Sequence, residues 1–218
     1  MSISTLLPVR NGSNFVKLAL SSVMSQTLSS QELFVIDDHS TDSTHEIVEK
    51  EFPSAIVLQS RGHGQASALN HGILNTTQEF ITFIDHDDEW AITKNEIQSS
   101  ILIGDENIDV VVGGVANFEL AQGNSLKRFG PSRVLGACMF RRDVFDKVGP
   151  FDTSIGHHAI IEWWGRKAAQ DLRVHEIHEI QYFRRIHQEN SGKLYKEDSR
   201  QDLLKILKNK AKDHVEPS

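Results

Sequence analysis

Short apolar runs alternate with helix-like patterns through the first ninety residues. Residues 3–8, 32–37, 55–59 and 79–85 are brief, largely apolar and β-branched, and each runs out into polar residues, so each is expected to be a strand. Helices are expected after Asn11-Gly12-Ser13-Asn14, after Ser40-Thr41-Asp42-Ser43 and after Gly62-His63-Gly64. The first two starts carry N-cap residues, and Ser43 with Glu46 three positions on has the spacing of a capping box ahead of Ile47 and Val48. Such alternation predicts an α/β fold with a parallel sheet and helices on its faces. The second half is less regular. Residues 109–115 and 134–140 read as buried strands, 141–148 as a short helix closed by Gly149-Pro150, and 160–170 as a helix. A final strand is expected around 180–184, and 199–212 reads as a surface helix with Leu203, Leu204 and Leu207 on one face.

Length and composition narrow this picture. The 218 residues suit one domain, with residues 1–90 as one half, 91–198 as the other and 199–218 as a terminal helix and tail. Hydrophobic residues at 39% and charged residues at 24% are ordinary for a globular chain, and no apolar stretch approaches a membrane span. The first ten residues lack the basic start of a signal peptide, so a cytoplasmic protein is expected. A net charge of −7 opposes a polyanion, which argues against nucleic acid as the main partner. The single Cys138 lies in an apolar run and reads as a small buried thiol.

In an open parallel sheet, ligands sit beyond the carboxyl ends of the strands. That rule selects Arg10 and Asn11, Asp37 and Asp38, Arg61, and the run Asp85-His86-Asp87-Asp88-Glu89. Four acidic residues within five positions repel one another, and hard oxygen ligands for Mg²⁺ or Mn²⁺ explain the crowding, with open coordination positions left for a diphosphate. A solvated acidic turn capping the next helix is the competing reading. Asp37 and Asp38 are placed to accept hydrogen bonds from a base or ribose, or else simply to turn the chain into the next helix. Arg61-Gly62-His63-Gly64-Gln65-Ala66-Ser67 partly imitates a dinucleotide fingerprint, but Ser67 stands at the third glycine position and the loop follows the third strand. A phosphate loop that uses Arg61 explains the same residues.

Five ordered motifs carry a resemblance: Pro8-Val9-Arg10-Asn11-Gly12, Ser22 to Thr27, Asp37 to Asp42, Asn70-His71-Gly72-Ile73, and Asp85-His86-Asp87-Asp88. Together they resemble the family 2 glycosyltransferases. The likeness continues through Gly136-Ala137, Arg141-Arg142 and Val148-Gly149-Pro150-Phe151-Asp152. It implies a GT-A fold, with a Rossmann-like mostly parallel sheet, an inverting mechanism, a nucleoside-diphosphate sugar, with a UDP-sugar favoured, and Mg²⁺ or Mn²⁺. It also implies that Asp38, beside Asp37, holds the nucleoside. Asp85 and Asp87 match the DXD motif that holds ribose and metal, and Pro8 and Arg10 border the base. Asn11, Arg61, Gln65 and His86 join the nucleotide-sugar residues.

An inverting displacement needs a base on the acceptor hydroxyl, and Glu162 is the carboxylate in the opening turns of its helix. The family resembled commonly has an Asp where Ile160 stands, whereas Glu162-Trp163 fits a variant of its pattern. Pairing with Arg166 one turn on is the competing role for Glu162, and His157 or His158 is an alternative base. Arg185 is expected to neutralise the leaving diphosphate and His187 to complete the metal shell. His175 and His178 read as structural or surface residues. Two other functions stand beside transfer. One is a retired GT-A domain that binds nucleotide or a partner, motivated by Ile160; the other is an NAD enzyme resting on the glycine loop. The acceptor, whether glycan, lipid, small molecule or peptide, is not legible.

Overall fold

The computed structural model describes residues 2–119, 125–156, 158–188 and 202. The helix expected over 199–212 lies outside them apart from residue 202, as do His157 and the polar loop from residue 189. Strands β1 (Ile3–Val9), β2 (Glu32–Asp37), β3 (Ile56–Gln59) and β4 (Phe80–Phe83) are parallel and lie in the order β3-β2-β1-β4. Helices α1 (Val16–Met24), α2 (Thr44–Glu51) and α3 (Gln65–Asn75) connect them. Successive strand side chains point to opposite faces. Leu6, Phe34, Ile36 and Phe83 therefore pack with α3, while Leu7, Val9, Leu33 and Val35 pack with α1 and α2. All four strands end at one edge of the sheet, which gathers Arg10, Asp38, Arg61 and Asp85.

The chain continues through β5 (Glu89–Trp90), α4 (Lys94–Gly104), β6 (Val110–Glu119) and β7 (Ser125–Pro131). There follow β8 (Cys138–Arg141), α5 (Val144–Val148), α6 (Ala159–Gly165), α7 (Lys167–Gln170) and β9 (Val174–Arg185). The sheet runs on from β4 as β8-β6-β9-β5, with β7 paired to β6. Only the β6–β9 pair is parallel in this half; β8, β7 and β5 join antiparallel.

Several expectations are refined. The strand read over 134–140 opens as a 3-10 turn, Leu135–Ala137, and joins the sheet only at Cys138. The helix read over 160–170 breaks at Arg166, whose ψ of 149° is extended, into α6 and α7. The last strand is 12 residues long because it pairs along β6 from Val110↔Val174 to Phe118↔Arg185. The capping box does not form: Ser43 makes no side-chain cap, and Asp42 Oδ1 accepts the Thr44 N–H at 3.1 Å instead. Phe140, Phe145, Phe151 and Trp163 pack with ring centroids 5.3–6.2 Å apart and fasten α5 and α6 to the sheet.

Candidate functional site

Two loops shape the nucleotide side of this edge. Asn11, at φ 52°, receives the Thr41 N–H on Oδ1 at 2.8 Å and donates its own N–H to Ser40 Oγ at 2.9 Å. Asp42 accepts from Ser13 N–H at 3.1 Å and from Thr44; burial alone would raise its pKa, yet these hydrogen bonds hold it down at about 2. Asp37 Oδ1 accepts the Ser40 N–H at 3.0 Å. Asn11 and Asp37 thus build the loop walls.

Asp38 stands differently. Its N–H is tied to Val9 O at 2.8 Å and its Oδ2 accepts the Gly64 N–H at 2.8 Å, but Oδ1 is buried and has no hydrogen-bond partner. A buried acceptor without a donor is costly, and a hydrogen-bond donor on a ligand would satisfy it. Around it, Pro8 is buried within β1, Arg10 and Arg61 are exposed at the rim, and Gln65 Nε2 reaches Asp85 Oδ1 at 3.2 Å. His86 packs over Gly12, where a side chain would come within 2.7 Å of the His86 ring and 2.5 Å of Val9.

The acidic run after β4 is held from the far end of β9. Tyr182 donates its hydroxyl toward Asp85 Oδ2 at 3.1 Å and to Asp88 Oδ2. The Arg185 N–H donates to Asp88 Oδ1 at 2.7 Å, and its Nε donates to Asp87 O at 3.0 Å. The Arg185 guanidinium also pairs with Glu89 and lies over the rings of Phe118 at 4.6 Å and Phe15 at 5.5 Å. At 2% exposure Arg185 is buried beneath the acidic run. Arg184 is the exposed arginine of the pair, and its charge bears on Asp85. His187 Nε2 lies 2.9 Å from Asp87 Oδ2, with its ring 4.6 Å from that of Phe15.

Burial and the neighbouring Asp87 raise the pKa of Asp85, and burial with Asp85 and Asp87 raises that of Asp88. Such upward shifts mark uncompensated negative charge. A divalent cation at Asp87 and His187 would relieve it, and two protein ligands would leave positions for phosphate oxygens and water. The imidazole favours Mn²⁺ over Mg²⁺.

Tyr182 is the residue that sequence reasoning missed. Its signal was Gly136: a Cβ there would overlap the Tyr182 ring, so the glycine makes room for it. On the opposite side, both oxygens of Glu162 are taken by Arg166, at 2.9 and 2.7 Å, and Arg166 also donates to Pro150 O at 2.8 Å. The pairing weighed against a base role is therefore present. His158 lies 3.7 Å from the carboxylate of Asp202. Cys138 is fully buried, with its thiol pushed up to about 12 by burial. His175 and His178 are exposed on β9.

The parallel half-sheet with carboxylates beyond its strand ends is that of an open α/β fold, whose ligands sit at the strand ends. Residues 4–124 match the profile of Glycosyl transferase family 2, and the chain belongs to that family. An uncharacterized glycosyltransferase of Rickettsia typhi is 28% identical over 209 residues, covering 85% of this chain and 64% of the relative. The UDP-Glc:alpha-D-GlcNAc-diphosphoundecaprenol beta-1,3-glucosyltransferase WfgD of Escherichia coli is 33% identical over 126 residues, 57% of this chain and 48% of the relative. Among solved structures, S. aureus TarS 1-349 in complex with UDP aligns with a TM-score of 0.72 at 18% identity, covering 94% of this chain and 64% of that one. The same fragment in complex with UDP-GlcNAc gives 0.67 at 19% identity, covering 87% and 60%. This likeness bears out the GT-A fold expected from the motifs. The chain spans 20–64% of the length of the curated relatives it matches. No helix among the described residues is long and apolar enough to cross a membrane.

Proposed function

We propose that this chain transfers a sugar from a nucleoside diphosphate, with uridine as the favoured nucleoside, to an acceptor hydroxyl or other nucleophile by a cation-dependent inverting displacement. The observation that carries this reading is the buried, unpartnered Asp38 Oδ1 on the same sheet edge as the Asp87–His187 pair. One end of the edge accepts a hydrogen-bond donor of a nucleoside, while the other offers ligands to a cation that binds phosphate oxygens. The names of WfgD and of the TarS complexes support a UDP-sugar donor. Mg²⁺ or Mn²⁺ held by Asp87 and His187 supplies charge stabilisation to the departing diphosphate. Asp38 and Gln65 orient the donor, and the exposed Arg184 adds positive charge beside Asp85. Glu162 accepts the acceptor proton only after Arg166 releases one of its oxygens.

That pairing also favours a second reading, a domain that binds a nucleotide sugar without turning it over. A thermal-shift panel of UDP, GDP and NAD with and without Mn²⁺ tests the nucleotide site, because a bound ligand raises apparent stability. UDP should shift the melting temperature most, and more with Mn²⁺. Donor hydrolysis or transfer by pure protein, abolished in Asp87→Ala, supports the enzyme; unchanged turnover in that variant refutes the cation assignment. Binding with no turnover against any acceptor class selects the second reading.

A further inference from the structure

The edge where β2 and β3 end holds another grouping of ligand-type side chains, separate from the acidic run. Asp38, His39 beside it, and His63 from the glycine loop bring a carboxylate oxygen and two imidazole nitrogens within 4.8 Å of one another. Among the described residues this is the one group of three acidic, histidine or cysteine side chains that converges so closely. The two rings pack with centroids 4.5 Å apart and planes at 41°. Both histidines are exposed, while Asp38 is buried. Two further features distinguish this group from a chance stack of rings. Asp38 Oδ1 is buried without a hydrogen-bond partner, so a ligand atom is wanted there. His39, in the left-handed region at φ 58°, has its Nδ1 braced at 3.2 Å by the Gln59 side chain.

Two imidazoles and one carboxylate suit borderline transition metals such as Zn²⁺, Co²⁺, Ni²⁺ and Cu²⁺ and are poorly matched to Mg²⁺. We propose that Asp38, His39 and His63 form a transition-metal site, and that a metal held there excludes the nucleotide by occupying Asp38 Oδ1. The exclusion rests on the reading that Asp38 holds the nucleoside; the metal site does not. Such a site makes the protein inhibitable by Zn²⁺ at the same edge where Mg²⁺ or Mn²⁺ assists it.

The test is a Co²⁺ titration of the full chain, freed of any histidine tag, in excess Mg²⁺, read by the visible absorption of low-coordinate cobalt. In Asp87→Asn, which removes the cation site proposed at Asp87 and His187, one equivalent should still bind. In that background His63→Ala and His39→Asn should each weaken binding at least about tenfold. Asparagine visits the left-handed region readily, so the second variant keeps the loop. Absence of cobalt binding in Asp87→Asn, or binding there that neither histidine variant weakens, overturns the site. UDP binding is measured separately by calorimetry in the same Mg²⁺ buffer. UDP that binds and raises the apparent Kd for cobalt supports exclusion, and UDP that binds without doing so overturns it. If cobalt binds to the three residues and UDP does not bind at all, the nucleotide reading fails while the metal site stands.

Discussion

Lys94 is fully buried at the start of α4 with no carboxylate among its hydrogen-bond partners. Its Nζ donates to Thr82 Oγ1 at 2.6 Å and Cys138 O at 3.3 Å and lies 4.3 Å from the centre of the Trp90 ring. Burial lowers its pKa to about 7. In the unfolded chain a lysine titrates near its ordinary value, about 10.4. Between these values the unfolded state carries a proton that the folded state lacks, so stability rises with pH across that window. The penalty is full below the folded pKa and is relieved above the unfolded one; at about 1.4 kcal/mol per pKa unit it amounts to roughly 4–5 kcal/mol. Lys94→Met removes the ammonium and keeps the length of the side chain. It forfeits two hydrogen bonds and the ring contact, together about 2–3 kcal/mol. The Thr82 hydroxyl keeps its bond to Cys138 O at 2.8 Å. The variant should therefore be about 1–3 kcal/mol more stable than the parent at pH 7 and should lose that advantage by pH 10. Urea unfolding of both proteins, followed by tryptophan fluorescence at each pH unit from 7 to 10, measures the gap. A gap that stays constant with pH would show that Lys94 is not desolvated as described.

Three further changes probe the site and its supports. Tyr182→Phe removes the hydroxyl that donates to Asp85 and Asp88, and should cost about 1–3 kcal/mol in chemical denaturation while shifting Mn²⁺ affinity; unchanged values for both would mean the bridge is idle. Gly136→Ala forces the Tyr182 ring aside and should destabilise by at least about 1–3 kcal/mol, with turnover falling alongside; a neutral result would refute the packing argument. Cys138, buried and with its thiol pushed up to about 12, should resist iodoacetamide in the native protein at pH 8 and react fully in denaturant, as counted by mass spectrometry.

What was legible in the sequence was local. The four parallel strands, their helices and the carboxylates after them were readable because each depends on neighbours a few residues away. Asp38 and Asp87 announced themselves by placing charge where an apolar strand stops. Long-range supports were not. Tyr182 meets Asp85 and Asp88 from 97 and 94 residues away, and the length of β9 comes from its pairing with β6. β5 has only two residues, too few for any period. Arg185 was readable only as a basic residue near the last strand; its contacts with Phe118 and Glu89 depend on strands that meet across the sheet.

Those distant contacts divide the acidic run by role. Asp88 is buried and takes both its donors, Tyr182 and the Arg185 amide, from β9, while Glu89 takes the Arg185 guanidinium. These partners lie within the fold itself, so Asp88 and Glu89 serve to clamp the end of β4 against β9. Asp87 has a different kind of partner, the His187 imidazole, which is itself a metal-ligand type and can share a cation with it. Asp85 sits between, with an amide from Gln65 and a share of the Tyr182 hydroxyl. The repulsion that made the run conspicuous is offset by donors folded in beneath it, and under the proposed function a cation at Asp87 and His187 would offset it further. Removing those donors should cost stability of the free protein, whereas Asp87→Ala should cost nucleotide affinity and turnover, and with them the stabilisation that bound ligand confers.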